Sequence, residues 1–226
     1  LITVHHLNNS RSQRVLWLLE ELGCRYQVQQ YQRDPRTLLA PPELRRVHPL
    51  GKSPVITDEA HTLAESGAII EYLIERYGDG RLRPAAGSDA RLRYTYWLHY
   101  AEGSAMPPLL LKLVFRRLPR QAPAVLRPLV RAIARRAQET FIDPQLRTHI
   151  DYWESELSRD PWFAGTEFTA ADIQMSYPLE AAAARSGVPL GDRVRGFLAR
   201  IRARPAHQRA VEVGGGLELP GAVPAR

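Results

Sequence analysis

Three short strings carry the side chains that could hold and activate a small polar molecule: Ser10, Lys52-Ser53-Pro54 and Glu65-Ser66. Glu65-Ser66 stands directly before an amphipathic stretch, Ala68 to Tyr77. An acid and a hydroxyl therefore sit where a helix presents its first free N–H groups, a site suited to a carboxylate with a neighbouring amine. Together with Ser10 the pair points to a small zwitterionic peptide as ligand.

Each string also has a plain structural reading. Ser10-Arg11-Ser12-Gln13 reads as a capping box, with Ser10 as N-cap and Gln13 three residues on. Glu65-Ser66 could equally cap the helix that follows, the acid being favoured by the helix dipole. Proline at the first residue of a strand, as in Ser53-Pro54, is ordinary. A cis bond there would turn the Ser53 backbone outward, ready to pair with an extended peptide. Thr169-Ala170-Ala171-Asp172 is a structural capping box. His5 and His6 are adjacent in a strand and point to opposite faces, so they do not share a metal. No His/Cys/Asp/Glu cluster has metal-ligand spacing, and no Gly-rich phosphate loop occurs.

Composition narrows the class. A chain of 226 residues with 44% hydrophobic residues can bury one large core or two smaller ones. One cysteine, Cys24, excludes an internal disulfide and reads as a small packing residue. No apolar run approaches the roughly 20 residues of a membrane span, and the strand-like start does not read as a signal peptide. A cytoplasmic address follows as the expectation. All but two of the 31 basic residues are arginine, giving a net charge of +7. The arginines are dispersed and accompany no nucleic-acid-binding signature, so no nucleic-acid partner is expected.

The elements that must position these residues can be placed by periodicity. Ile2 to Leu7 reads as a strand, Val15 to Leu22 as a helix ended by Gly23, and Tyr26 to Gln30 as a second strand. Pro35 to Arg46 is a loop or irregular helix. Pro54–Thr57 and Thr62–Ala64 form a hairpin before the Ala68–Tyr77 helix, which stops at Gly78. Beyond a Gly-, Pro- and Arg-rich stretch the pattern becomes purely helical. Ser88 caps the next helix, Pro107-Pro108 kinks it, and a further helix runs from about Ala124 to Leu157, with Pro128 and Pro144 as candidate breaks. Leu190 to Arg204 reads as the last clear helix, stopped near Pro205.

In this order the parts resemble the cytosolic-type glutathione S-transferases, closest to their bacterial and fungal branch. The resemblance runs from Ile2 to about Ala210 and is strongest over His48-Pro49-Leu50-Gly51-Lys52-Ser53-Pro54, Thr62 to Ile69, and Phe163 to Ile173. It implies an α/β thioredoxin-like N-terminal domain (1–78), a linker (79–87), an all-α C-terminal domain (88–210) and an irregular tail (211–226). Pro54 matches the family's cis-proline, and Ser53 the residue whose backbone pairs with the glutathione cysteine. Glu65 and Ser66 match the γ-glutamyl pair, Lys52 a position that meets the glycine carboxylate, and Asp172 the family's capping aspartate. Ser10 stands four residues before Arg14, as the activating serine does in serine-type members, with Asn8, Asn9 and Arg11 also within reach of a thiol. Ser10-Arg11-Ser12-Gln13 holds the place of a redox CxxC but carries no thiol. The resemblance further implies glutathione as co-substrate with no bound cofactor, a homodimer, and an apolar electrophile between the domains, with Leu7, Tyr100, Ser104 and Met106 lining the cleft. A glutathione-dependent peroxidase and a non-catalytic ligand-binding protein are the alternative readings.

One hydroxyl is enough in principle. Lowering a thiol from about 8.5 to about 6.5 needs roughly 2.7 kcal/mol. A hydrogen bond to a charged group supplies about 1.5–3 kcal/mol, and a helix N-terminus adds about 0.3–1 kcal/mol.

Overall fold

The computed structural model describes residues 1–37 and 39–217. Strands β1 (Ile2–Leu7), β2 (Tyr26–Tyr31), β3 (Val55–Asp58) and β4 (His61–Ala64) form one sheet in the order β2-β1-β3-β4. β1 pairs in parallel with β2 and antiparallel with β3, and β3 pairs antiparallel with β4. Helix α1 (Ser12–Leu22) makes the crossover between the parallel strands, α2 (Leu44–Val47) is a single turn, and α3 (Ser66–Tyr77) follows the hairpin. This is the expected thioredoxin-like arrangement.

The sheet presents Ile2, Val4 and Ile56 to a core that continues through α1 and α3 into the helical part. Val15, Leu16, Leu18 and Leu19 of α1 are fully buried, because α1 touches β1, α3 and two helices from the far end of the chain. Gly23 ends α1 at φ 68, where its N–H reaches Glu20 O, the left-handed cap that the glycine announced.

The helical part comprises α4 (Asp89–Tyr100), α5 (Met106–Gln121), α6 (Arg127–Ala137), α7 (Asp143–Arg159), α8 (Ala170–Arg185), α9 (Asp192–Arg202) and α10 (Pro205–Gly214). Ser88 caps α4 by accepting from Arg91 N at 3.2 Å. Pro107-Pro108 and Pro144 do not break their helices. Each follows a π-helical turn, Ala101–Ala105 and Gln138–Ile142, and sits in the first turn of the next α segment. A proline is tolerated where its missing N–H has no intrahelical partner. Pro128 likewise opens α6. Among the described residues, no helix is long and apolar enough to cross a membrane.

The end of the chain departs from the expectation. Pro205 does not close the last helix but opens α10, the position where proline's fixed φ suits a helix start. The boundary at 211 is therefore misplaced: helix continues to Gly214, and Gly215 at φ 80 ends it. Residues 218–226 of the expected tail lie outside the described residues. α10 packs along α1, tied by Arg204 to Glu21 at 2.6 Å and Arg209 to Glu20 at 2.7 Å. The segment 79–87 is also anchored, since Leu82 O accepts from Ala170 N at 2.9 Å.

Candidate functional site

One cavity of about 220 Å³ gathers Lys52, Ser53, Pro54, Glu65 and Ser66, together with Arg11, His48, Leu50 and Glu102. β3 begins directly after Pro54, whose peptide bond to Ser53 is cis, and β4 ends directly before Glu65. The β3–β4 hairpin thus brings residues 52–54 and 65–66 to the same end of the sheet.

The helix-capping reading of Glu65-Ser66 does not hold. Glu65 precedes α3 with no side-chain cap bond, at φ 71 and ψ 120. An L-residue held in that region costs on the order of 1–3 kcal/mol, a strain that clusters at ligand clamps. Its carboxylate has no partner among the described residues, and neither has the Lys52 ammonium. The cavity therefore presents one uncommitted anion and one uncommitted cation. The Ser66 hydroxyl is buried and accepts from Arg14 Nη2 at 2.9 Å.

Arg14, Arg11 and Glu102 form the wall behind Ser66. Arg14 is 1% exposed and donates to Gln174 O at 2.6 Å, to Ser66 Oγ and to Glu102 at 2.5 Å. Arg11 Nε lies 3.0 Å from the same carboxylate. Burial pushes the Glu102 carboxyl up, but the two guanidiniums outweigh it and hold the group below its ordinary value. Glu102 sits on the π-helical turn of the helical part, so this ion pair also ties the two parts of the molecule together. Glu102 carried no local sequence signal for the cavity, since its approach depends on how the helical part docks, whereas His48 opens the His48–Pro54 segment of the N-terminal part.

Ser10 is placed beside the cavity rather than on its lining. It is 5% exposed, with Oγ 2.7 Å from Ser12 Oγ and 3.4 Å from Ser53 Oγ. Half of the expected capping box forms: Ser10 Oγ accepts from Ser12 N at 3.2 Å, but the Gln13 amide donates to Ala210 O at 2.7 Å instead of returning to Ser10. The proton positions follow from His6. Its Nε2 faces Gly214 O at 2.8 Å, which can only accept, so Nε2 carries the proton. Burial lowers the His6 pKa, so the ring is neutral and Nδ1 accepts from Ser12 Oγ at 2.9 Å. Ser12 has then used its proton, and Ser10 is the donor in the 2.7 Å bond. The hydroxyl expected to face a thiol is directed inward at rest. Asn8 Oδ1 accepts from Arg33 N at 2.8 Å, and Asn9 adopts φ 53 in the same turn.

The expected cleft residues separate. Tyr100 and Met106 belong to the core, 8% and 5% exposed, and the Tyr100 hydroxyl is engaged with His149 and Trp153. They do not line an open cleft, because that side of the helix turns inward against α7. Leu7 is buried at the end of β1, and Ser104 is exposed on the π-helical turn. Asp172 accepts from Phe163 N and Thr169 N, each at 2.9 Å, completing the capping box expected at the start of α8.

A thioredoxin-like sheet carrying a mixed-charge cavity is joined to a helical part that supplies Glu102. The family model described as "Glutathione S-transferase, N-terminal domain" matches residues 10–76. Glutathione S-transferase 3 of Schizosaccharomyces pombe is 38% identical over 80% of this chain and 74% of its own. Glutathione S-transferase 1 of Saccharomyces cerevisiae is 32% identical over 80% of this chain and 81% of its own. A solved glutathione S-transferase from Actinobacillus pleuropneumoniae superposes with a TM-score of 0.80 at 33% identity, covering 96% of this chain and 95% of that one. The chain belongs to the glutathione S-transferase family.

Proposed function

We propose that this protein is a glutathione transferase that binds glutathione in the cavity between Lys52 and Glu65 and directs its thiolate at an electrophilic carbon. The observation that carries the reading is the pair of uncommitted opposite charges in one small cavity, Glu65 for the γ-glutamyl ammonium and Lys52 for the glycine carboxylate. Ser66 takes the γ-glutamyl carboxylate, held in place by Arg14. The Ser53 backbone pairs with the cysteinyl residue, and Pro54 shapes the strand end that receives it.

Binding then puts the thiol near the start of α1, beside Ser10 and Arg11. Ser10 keeps the role of thiolate donor, in competition with its bond to Ser12. Arg11 adds positive potential from the cavity wall, tempered by its pairing with Glu102. In the reaction the sulfur–carbon bond forms, the leaving group departs with its electron pair, and no metal or bound cofactor takes part. The electrophile enters from the side of the exposed Ser104, between a glutathione-binding part (1–78, linker 79–87) and a helical part that runs from 88 to 214. A cytoplasmic homodimer is part of the same proposal.

Retention on immobilised glutathione together with conjugation of a chlorinated nitrobenzene tests this reading. Binding without turnover across a panel of aryl halides would overturn it, and faster turnover of organic hydroperoxides would redirect it to peroxide reduction.

A further inference from the structure

A second, larger cavity of about 590 Å³ lies between α5 and α6 and shares no residue with the glutathione cavity. Arg116 and Arg120 line it from α5, Arg127, Arg131 and Arg135 from α6, and the Phe115 ring adds an apolar wall. Spacings of four residues put each set on a single helix face, so five exposed arginine side chains border one space, Arg116 and Arg135 with partners of their own.

No acid lines the cavity. Arg135 reaches only the exposed Glu139, at 3.7 Å, and Arg116 donates to Arg185 O at 3.2 Å. The side chains of Arg120, Arg127 and Arg131 have no partner among the described residues. Elsewhere the fold matches its buried and bridging arginines to carboxylates, as in Arg14–Glu102, Arg204–Glu21 and Arg209–Glu20. An arginine-rich composition alone does not explain a concave site from which acids are missing. Like charges four residues apart destabilise a helix, and an anion between them removes that repulsion. The planar guanidinium fork matches phosphate oxygens two at a time.

We propose that this cavity binds a compact polyanion bearing two or more clustered phosphate groups. Those phosphates belong to a free solute, because the exposed Leu129 and Ile133 of α6, and Val125 in the turn before it, lie on the opposite side of the helix from Arg127, Arg131 and Arg135.

Inorganic tripolyphosphate, titrated calorimetrically into the full-length protein, is the probe. Saturable binding that weakens with added salt is expected. An Arg127→Gln/Arg131→Gln double variant should lose about tenfold or more in affinity, at least one charge-assisted contact, with glutathione conjugation unchanged. Arg25→Gln/Arg193→Gln removes the same charge elsewhere on the surface and should leave affinity within about twofold, because screened charges beyond about 10 Å contribute little. No saturation with the wild type, or an equal loss in both double variants, overturns the proposal. Sedimentation with phosphatidylglycerol vesicles checks the source: wild-type protein is expected in the supernatant, and co-sedimentation that Arg127→Gln/Arg131→Gln abolishes would overturn the assignment to a free polyanion.

Discussion

Replacing Ser10 by alanine tests the proposed thiolate donor, and the structure supplies its magnitude. A hydroxyl donated to a thiolate is worth about 1.5–3 kcal/mol. Here that donation requires giving up the 2.7 Å bond to Ser12, a neutral pair worth about 0.5–1.5 kcal/mol. The net spans roughly 0–2.5 kcal/mol and centres near 1.3 kcal/mol, about one pKa unit. Ser10→Ala should therefore raise the bound thiol pKa by about one unit. Ser12→Ala should lower it by about 0.4–1 unit, because Ser10 then turns to the thiolate without losing a partner. The rate follows with a crossing. One unit leaves tenfold less thiolate at low pH, but a more basic thiolate is about threefold more nucleophilic at a Brønsted exponent of about 0.4–0.5. Ser10→Ala is expected to be about three- to fourfold slower below the pKa and about threefold faster above it. Thiolate absorbance of the glutathione complex and kcat/KM against pH measure both effects. Unchanged pKa in Ser10→Ala, or shifts of the same sign in the two variants, would refute the reasoning and leave Arg11 as the activating group.

Glu65→Gln removes the anion proposed for the γ-glutamyl ammonium and should raise KM for glutathione about tenfold to a hundredfold with little change in kcat; an unchanged KM rules the residue out. Glu102→Gln leaves Arg14 with a weaker partner. Since Glu102 is 30% exposed, the loss should fall below the usual buried-pair cost, at about 1–3 kcal/mol, lowering Tm by about 2–4 °C per kcal/mol. Because Glu102 is held below its ordinary value of 4.5, its contribution is complete above that pH and is lost as pH falls through the folded-state value. Unfolding free energy measured down an acid series should therefore fall less steeply in Glu102→Gln than in the wild type, and identical slopes would contradict the assignment. Asp172→Ala strands the N–H groups of Phe163 and Thr169 and should cost roughly 2–5 kcal/mol in urea unfolding; an unshifted midpoint would show that water replaces the carboxylate.

Much of this fold was legible because its signals are local. Gly23 ends α1, a short polar turn from Asp58 to His61 joins β3 to β4, and Thr169-Ala170-Ala171-Asp172 states its own cap within four residues. The α10 helix was missed because Pro205 was taken as a stop, while a proline opens a helix as readily as it follows one. Tyr100 and Met106 were placed at the cleft on sequence position alone. Which side of a helix faces inward depends on what packs against it, and here α7 covers Tyr100.

The sequence by itself determined the motif residues of the proposed glutathione cavity. Lys52 to Pro54 and Glu65-Ser66 flank one short hairpin, so their meeting needs only that hairpin to close. Tertiary structure alone decided the protonation and pairing around them. Ser10 reads as a helix cap or a thiolate donor, yet the direction of its proton is set by Ser12, His6 and a carbonyl at Gly214, more than 200 residues away. Glu102 looked like an ordinary helical acid until docking of the helical part put it against Arg11 and Arg14. Hydrogen-bond direction and ion pairing depend on distances of a few ångströms between groups distant in sequence, and no local pattern of residues encodes them.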